Sequence, residues 1–379
     1  MFQTRFYQGS EGTGGGEEFR KLPTQPDVHK QEKTLQYGAF QAVNTCMGVK
    51  PNEKVFIITD RLTEKVGSAL YNEAVKATKN PDSVKMVILE DYGQRPFNKG
   101  MPPQLEADLR KFNPDVTFYA GSRQEGEMSF RKPLLELLTG ELKVRHGHMI
   151  GVTEQIMKEG MSGDYAKVGE MSQKVFDIVR NAEKIKVTTA AGTNLTAEFN
   201  PNPKWVDEKG EMHERWVNSN AIYHERGKWG NLPDGEVFTC PLNVNGTVVI
   251  DGVLGDDFSK YGPLKHPVTV RIENSRAVID SVSCEDKVLE ADFKKYLQRG
   301  ENSDRVGEFA IGTNIWLTKL IGIMLQDEKF PGVHIAFGNS YKDETGSGWE
   351  AKTHVDGVLL KPTVEVDGKI IMENGRFTI

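Results

Sequence analysis

Residues 55–60 read VFIITD, a short apolar, β-branched run closed by an acid and preceded by the turn-forming stretch VKPNE at 49–53. A continuous apolar run of this length between turn signals reads as a buried strand. Outward from it the pattern alternates. TEKVGSALYNEAVKAT (63–78) has helical apolar spacing and VKMVILED (84–91) is a second buried-type strand. LEADLRKF (105–112) is a helix fragment, DVTFYAG (115–121) a third strand, and residues 30–48 form a helix in front. Strands and helices in this order predict an N-terminal α/β domain with a mostly parallel sheet over residues 30–160.

Beyond it the character changes. DYAKVGEMSQKVFDIVRNAEKI (164–185) is a long amphipathic helix candidate that bridges two halves of the molecule. In NAIYHERGKWGNLPDGEVFTCPLNVNGTVVIDGVL (220–254), short strand-like runs are broken by Pro-Asp-Gly, Asn-Gly and Asp-Gly, which favours antiparallel hairpins. PVTVRIENSRAVIDSVSC (267–284) continues that pattern, 285–299 look helical, and VEVDGKIIMENG (364–375) reads as a hairpin. Residues 161–379 are therefore expected to form a β-rich α+β domain, and the Gly- and Glu-rich opening, residues 1–29, a flexible segment.

Composition removes several function classes. With 48 basic against 54 acidic residues and a net charge of -6, well mixed, there is no basic stripe of the kind nucleic-acid binders need. The opening residues carry neither an apolar signal region nor a cleavage site, and no segment approaches eighteen uninterrupted apolar residues. A cytoplasmic, soluble protein without membrane or nucleic-acid partners is expected. The cysteines Cys46, Cys240 and Cys284 are odd in number and lack CxxC spacing, which fits a reducing compartment and argues against a thiolate metal site.

Chemistry concentrates in the second half. In KTHVDGVLL (352–360), His354 and Asp356 leave the same face of a strand, as a hydrogen-bonded pair or as half of a metal site. Glu236 follows a Pro-Asp-Gly turn at the head of a strand, where an ordinary turn glutamate is the plain alternative. Glu308, between Gly307 and the apolar Phe309-Ala310-Ile311, must be paired, metal-bound or protonated. PGVHIAFGNSY (331–341) supplies His334, which a satisfied core histidine would also explain, and Tyr341. Three carboxylates, two imidazoles and a phenol suit Zn, Co or Mn, without soft ligands. In RHGHMIGV, His146 and His148 form either a further metal or substrate site or a polar loop at the end of a strand.

The ordered motifs GEVFTCP, GEFAIGTN, HIAFGNSY and THVDG, with MGVKPNEKVFIITD and AEKIKVTTAAGTNLTAEF before them, resemble the thermophilic-type metallo-aminopeptidases, the M29 or aminopeptidase T family. The resemblance covers most of the chain from about residue 35. It implies a dinuclear site of two divalent ions (Zn, Co or Mn) on Glu236, Glu308, His334, Tyr341, His354 and Asp356, with Glu308 or Asp356 bridging. It also implies removal of N-terminal residues from short peptides by metal-assisted hydrolysis, and a homodimer. Glu308 is the candidate general base, and Tyr341 a candidate support for the oxyanion. One departure stands out: only KDETGSGWEAKT separates Tyr341 from His354, a shorter connection than the family's. RHGHMIGV is also similar to a stretch of the 2,5-dihydroxypyridine dioxygenases, which use a single Fe(II). Such a dioxygenase, with His354 and Asp356 as two of its ligands, is the alternative reading, and a non-enzymatic metal or peptide binder is a third.

Overall fold

The computed structural model describes residues 33–379; the expected flexible segment at 1–29 lies outside them. Its first layer is a parallel sheet in the spatial order Trp229–Asn231, Arg145–His148, Val116–Ala120, Val55–Thr59, Val84–Ile88. The VFIIT strand is buried along its whole length because both faces are covered. Val55 and Ile57 pack with Val66, Leu70 and Ala74 of the helix Glu64–Thr78. Phe56 and Ile58 pack on the other side with Leu105 and Leu109 of the helix Pro103–Phe112. A strand covered twice has no solvent face to mark with polar residues, which is why its sequence runs apolar without alternating.

One strand of this sheet comes from far along the chain. Trp229–Asn231 pairs in parallel with Arg145–His148, Asn231 opposite His148, within the region where the sequence suggests only antiparallel hairpins. Three residues are too few for hydrophobic period to announce a strand, so pairing with a preformed edge decides it.

The helix Tyr165–Val179 joins the two halves, as its length suggested. Tyr165 and Val168 enter the core beneath the parallel sheet, whereas Val175, Phe176 and Val179 enter the core of the β-rich half. That half contains an eight-stranded and a five-stranded antiparallel sheet sharing one apolar core. The five-stranded sheet runs His354–Leu359, Gly332–Gly338, Val306–Gly312, Glu236–Thr239, Val217–Ser219. Among the described residues no helix is long and apolar enough to cross a membrane.

Candidate metal centre

The five-stranded sheet sorts its side chains by face. Val237, Phe309, Ile311, Val333, Ile335, Phe337, Val355 and Leu359 point into the shared core. Each alternates with a residue of the opposite face, and there the registers bring the candidate residues together. Glu308 lies opposite Ala336, which lies opposite Asp356. His334 lies opposite Ala310, His354 opposite Gly338, and Glu236 opposite Gly312. Between the chemically active side chains this face carries mostly glycine and alanine, whose small size leaves open space above the sheet. Period-two patterning thus sets both the core and the site.

Backbone approach tightens the arrangement. A Cβ at Gly307 would overlap the Gly338 carbonyl oxygen, and one at Gly338, whose φ is +114°, would overlap that of Thr353. These contacts hold the next carbonyl, that of Asn339, where it accepts a hydrogen bond from His354 Nδ1 at 3.1 Å. Because a carbonyl can only accept, Nδ1 carries the hydrogen and Nε2 is turned toward the carboxylates.

Two clusters result, with Glu308 in both. Glu236, Glu308 and His334 form one and Glu308, His354 and Asp356 the other; in each, the possible ligand atoms lie within 4.8 Å of one another. Glu308 Oε1 is 3.3 Å from His334 Nε2, and its Oε2 is 3.4 Å from His354 Nε2. His354 Nε2 also lies 3.2 Å from Asp356 Oδ1, and His334 Nε2 3.5 Å from Glu236 Oε2. Tyr341, in a left-handed conformation at φ +48°, sets its ring 4.8 Å from that of His354. The short connection after it is held by Ser340 Oγ, which hydrogen-bonds to Ser347 and to the Trp349 carbonyl. The six residues expected from the sequence therefore share one site.

Three neighbours, Asp234, Glu328 and Lys329, were missed by sequence reasoning. Lys329 is fully buried, and its ammonium meets Glu236 Oε1, Glu328 Oε1 at 2.7 Å and Asp234 Oδ1 at 3.5 Å. The run QDEKF (326–330) is not among the stretches singled out in the sequence. The signal available was its position directly before PGVHIAFG (331–338), which opens a buried strand. Asp234 also accepts from the Tyr223 hydroxyl at 2.5 Å. Lys329 thereby fixes Glu236 with its Oε2 buried and without a hydrogen-bond partner.

Burial and charge together set the protonation of the site. Burial pushes Glu308 up, but the hydrogen bonds and charges of His334 and His354 outweigh it and hold its carboxyl well below the usual range. Burial pushes His334 down, and Glu308, Glu236 and Asp356 reverse that, raising it to about 9. His354 is likewise raised by Asp356 and Glu308 against its burial. Desolvation raises Glu236 and Glu328 in spite of Lys329, and raises the Tyr341 phenol among these carboxylates.

These residues fit divalent cations. Glu236, Glu308, Glu328 and Asp356 crowd one face with Lys329 as the fixed cation among them, and Glu236 Oε2 is a desolvated acceptor lacking a donor. With His334 and His354 neutral, as ligands must be, the carboxylates outnumber the one ammonium and call for compensating cations, and oxygen with imidazole donors suits Zn, Co or Mn. The site opens on a cavity of about 620 Å³. A second cavity of about 950 Å³ adjoins it, and both are lined by Asn231, Glu328 and Tyr341.

The model of the thermophilic metalloprotease (M29) family matches residues 154–369, more than half of the chain and all six candidate positions. This chain belongs to the M29 family. It is therefore a metallopeptidase, a hydrolase dependent on divalent metal. No curated protein matches it in sequence. In fold, the metallopeptidase is similar to wild-type AmpT from Thermus thermophilus, with TM-score 0.60, 17% identity, and 91% of this chain and 99% of that chain covered. It is also similar to 2,5-dihydroxypyridine dioxygenase from Pseudomonas putida KT2440, with TM-score 0.63, 15% identity, and 90% and 96% covered. The mixed α/β architecture, with a parallel sheet of five strands and further antiparallel sheets, is the one expected from the sequence.

Of the two expectations for His146 and His148 in this metallopeptidase, the loop is the one the structure replaces. Both lie on the strand Arg145–His148, not in a loop, and both are buried away from the carboxylate clusters. Strand periodicity carries them inward together, beside Thr117 and Arg131.

Proposed function

We propose that this metallopeptidase is an aminopeptidase that removes N-terminal residues from short peptides, using two divalent ions per chain. Glu236, Glu308 and His334 would hold one ion and Glu308, His354 and Asp356 the other, with Tyr341 alongside. The observation that carries this reading is Glu308, whose two oxygens each face a different imidazole, as a bridging carboxylate would. When bound, the ions would supply Lewis acidity and lower the pKa of a water molecule toward neutrality.

The chain's own residues then divide the remaining work. Lys329 orients Glu236, and the Asn339 carbonyl orients His354. With both Glu308 oxygens engaged between imidazoles, Glu328 is the better proton acceptor than Glu308. It lines both cavities, and burial pushes its carboxyl up in spite of Lys329, the direction that strengthens a proton acceptor. The Tyr341 hydroxyl, kept protonated by its burial and by the surrounding carboxylates, is suited to donate to the oxyanion of the tetrahedral intermediate. Asp343 and Glu344 extend the acidic wall of the smaller cavity and favour the cationic N-terminus of a peptide.

Elemental mass spectrometry on protein purified without chelator, then titrated with Zn, Co, Mn or Fe(II), tests the reading. Two ions per chain with turnover of unblocked short peptides is the expected result. The alternative, a mononuclear Fe(II) ring-cleaving dioxygenase, draws on the Glu308–His354–Asp356 cluster alone and leaves the buried Glu236 Oε2 without a role. One tightly held iron with turnover of dihydroxylated pyridines would establish that alternative in its place.

A further inference from the structure

The larger cavity lies over the C-terminal ends of the parallel strands. Thr63 follows the first of these strands, Ser122 the third and Ile150 the fourth, while Asn231 ends the fifth, and all four line it. The next two strands in the chain, Val84–Ile88 and Val116–Ala120, lie on opposite sides of Val55–Thr59, so strand order reverses there, at the crevice where open α/β sheets hold their ligands. Its far wall comes from the β-rich half and includes Glu328 and Tyr341 of the candidate metal centre.

Three cations line this cavity, and two of them are already neutralised. Lys65 is paired with Glu154 at 3.2 Å and Arg123 with Asp256 at 3.3 Å. Arg131 differs: among the described residues no carboxylate lies within salt-bridge distance of it. Its contacts are Met128 Sδ at 2.9 Å and His148 Nε2 at 3.5 Å, and its Nε is buried without a hydrogen-bond partner. The nearby Glu127 is taken up by Arg95 at 2.8 and 2.6 Å.

The two histidines explain how this charge is held. A guanidinium can only donate, so His148 Nε2 accepts and its Nδ1 carries the hydrogen. That hydrogen is donated to His146 Nε2 at 3.1 Å, and His146 Nδ1 in turn donates to the Thr117 hydroxyl at 2.8 Å. Burial keeps both imidazoles neutral. The pair thus props the guanidinium from behind without cancelling its charge.

Resting on the peptidase reading, we propose that Arg131 binds the C-terminal carboxylate of the peptide whose N-terminal residue is cleaved at the metal centre. An Arg–carboxylate contact is short, charge-assisted and able to be bidentate. It would make the enzyme a reader of both peptide ends, and so select peptides short enough for the carboxylate to reach Arg131 within the cavity.

The test compares a tripeptide with a free C-terminus and the same tripeptide as its C-terminal amide, on the metal-loaded enzyme. Wild type is expected to show a KM about tenfold or more lower for the free acid, with similar kcat. Arg131→Gln should raise KM for the acid about 10- to 100-fold and leave the amide unchanged, so amide turnover doubles as the folding control. Arg131→Lys should recover part of the loss, and Lys65→Gln, removing a cation already paired, should change neither substrate. Equal KM values for acid and amide in wild type, or equal losses on both in Arg131→Gln, overturn the assignment of Arg131 while the peptidase reading stands. Turnover of neither peptide with any metal overturns the peptidase reading, and the assignment with it.

Discussion

Lys329 is an ammonium enclosed by three carboxylates, those of Glu236, Glu328 and Asp234. Removing one partner of a buried ionic cluster leaves uncompensated charge, a loss of about 3–5 kcal/mol. Lys329→Ala should therefore lower the urea midpoint of the metal-free protein strongly, and added metal should recover part of the loss by drawing on the same carboxylates. Sharing of Glu308 makes a second prediction. Glu308→Ala should take metal content from two ions to none, whereas His334→Ala, touching one cluster, should leave one ion bound; elemental analysis of the two variants separates these outcomes. Glu236, Glu308, His334, His354 and Asp356 could be picked out as candidates because each stands beside a glycine or in an apolar strand, where a polar group needs a reason, and Tyr341 through the motif HIAFGNSY of the family resemblance. Glu328 and Lys329 could not, because a charged run looks the same whether it faces water or folds inward onto other charges.

Among the elements, the strands Val306–Gly312 and Gly332–Gly338 depend on small residues that let backbones approach. Gly338→Ala would both strain a positive φ and push on the Thr353 carbonyl, and it lies beside Asn339, whose carbonyl orients His354. The variant is expected to lose about 1–3 kcal/mol of stability and about 10- to 100-fold in metal affinity, as loss of an orienting partner does; calorimetric titration reads the second effect. The strand Arg145–His148 carries a pH dependence. An unfolded imidazole takes a proton near 6.5, but buried His146 does not until about 3. Between those values the unfolded state binds more protons, so stability is full above about 6.5 and falls as pH drops toward 3, by about 1.4 kcal/mol per pH unit for that residue. Urea unfolding from pH 7 to 4 should show this slope, reduced in His146→Phe. The helices and apolar strands of the first half were readable from period and turn residues. Trp229–Asn231 was not, because a three-residue strand takes its identity from the edge it joins.

For the whole molecule, metal, protons and folding are linked. Metal-free His334 is raised to about 9, so at neutral pH each ion that binds must displace protons from the site. Affinity measured at pH 6 should be at least about tenfold weaker than at pH 8. Any ion that binds only the folded chain adds stability by mass action, and chelation should lower the melting temperature accordingly. From Asn231, paired to His148 at the edge of the parallel sheet, to Glu236, the first residue of the site's sheet, the chain takes five steps, about 17 Å even if fully stretched. Asp234, midway, is clamped by Tyr223 and faces Lys329. Mechanically this is a short link between the sheet whose strand Arg145–His148 braces Arg131 and the Glu236 carboxylate of the candidate site. A link this short limits how far the two sheets can slide apart, so a peptide held as proposed at Arg131 and at Glu236 would have its two ends anchored on parts that move together.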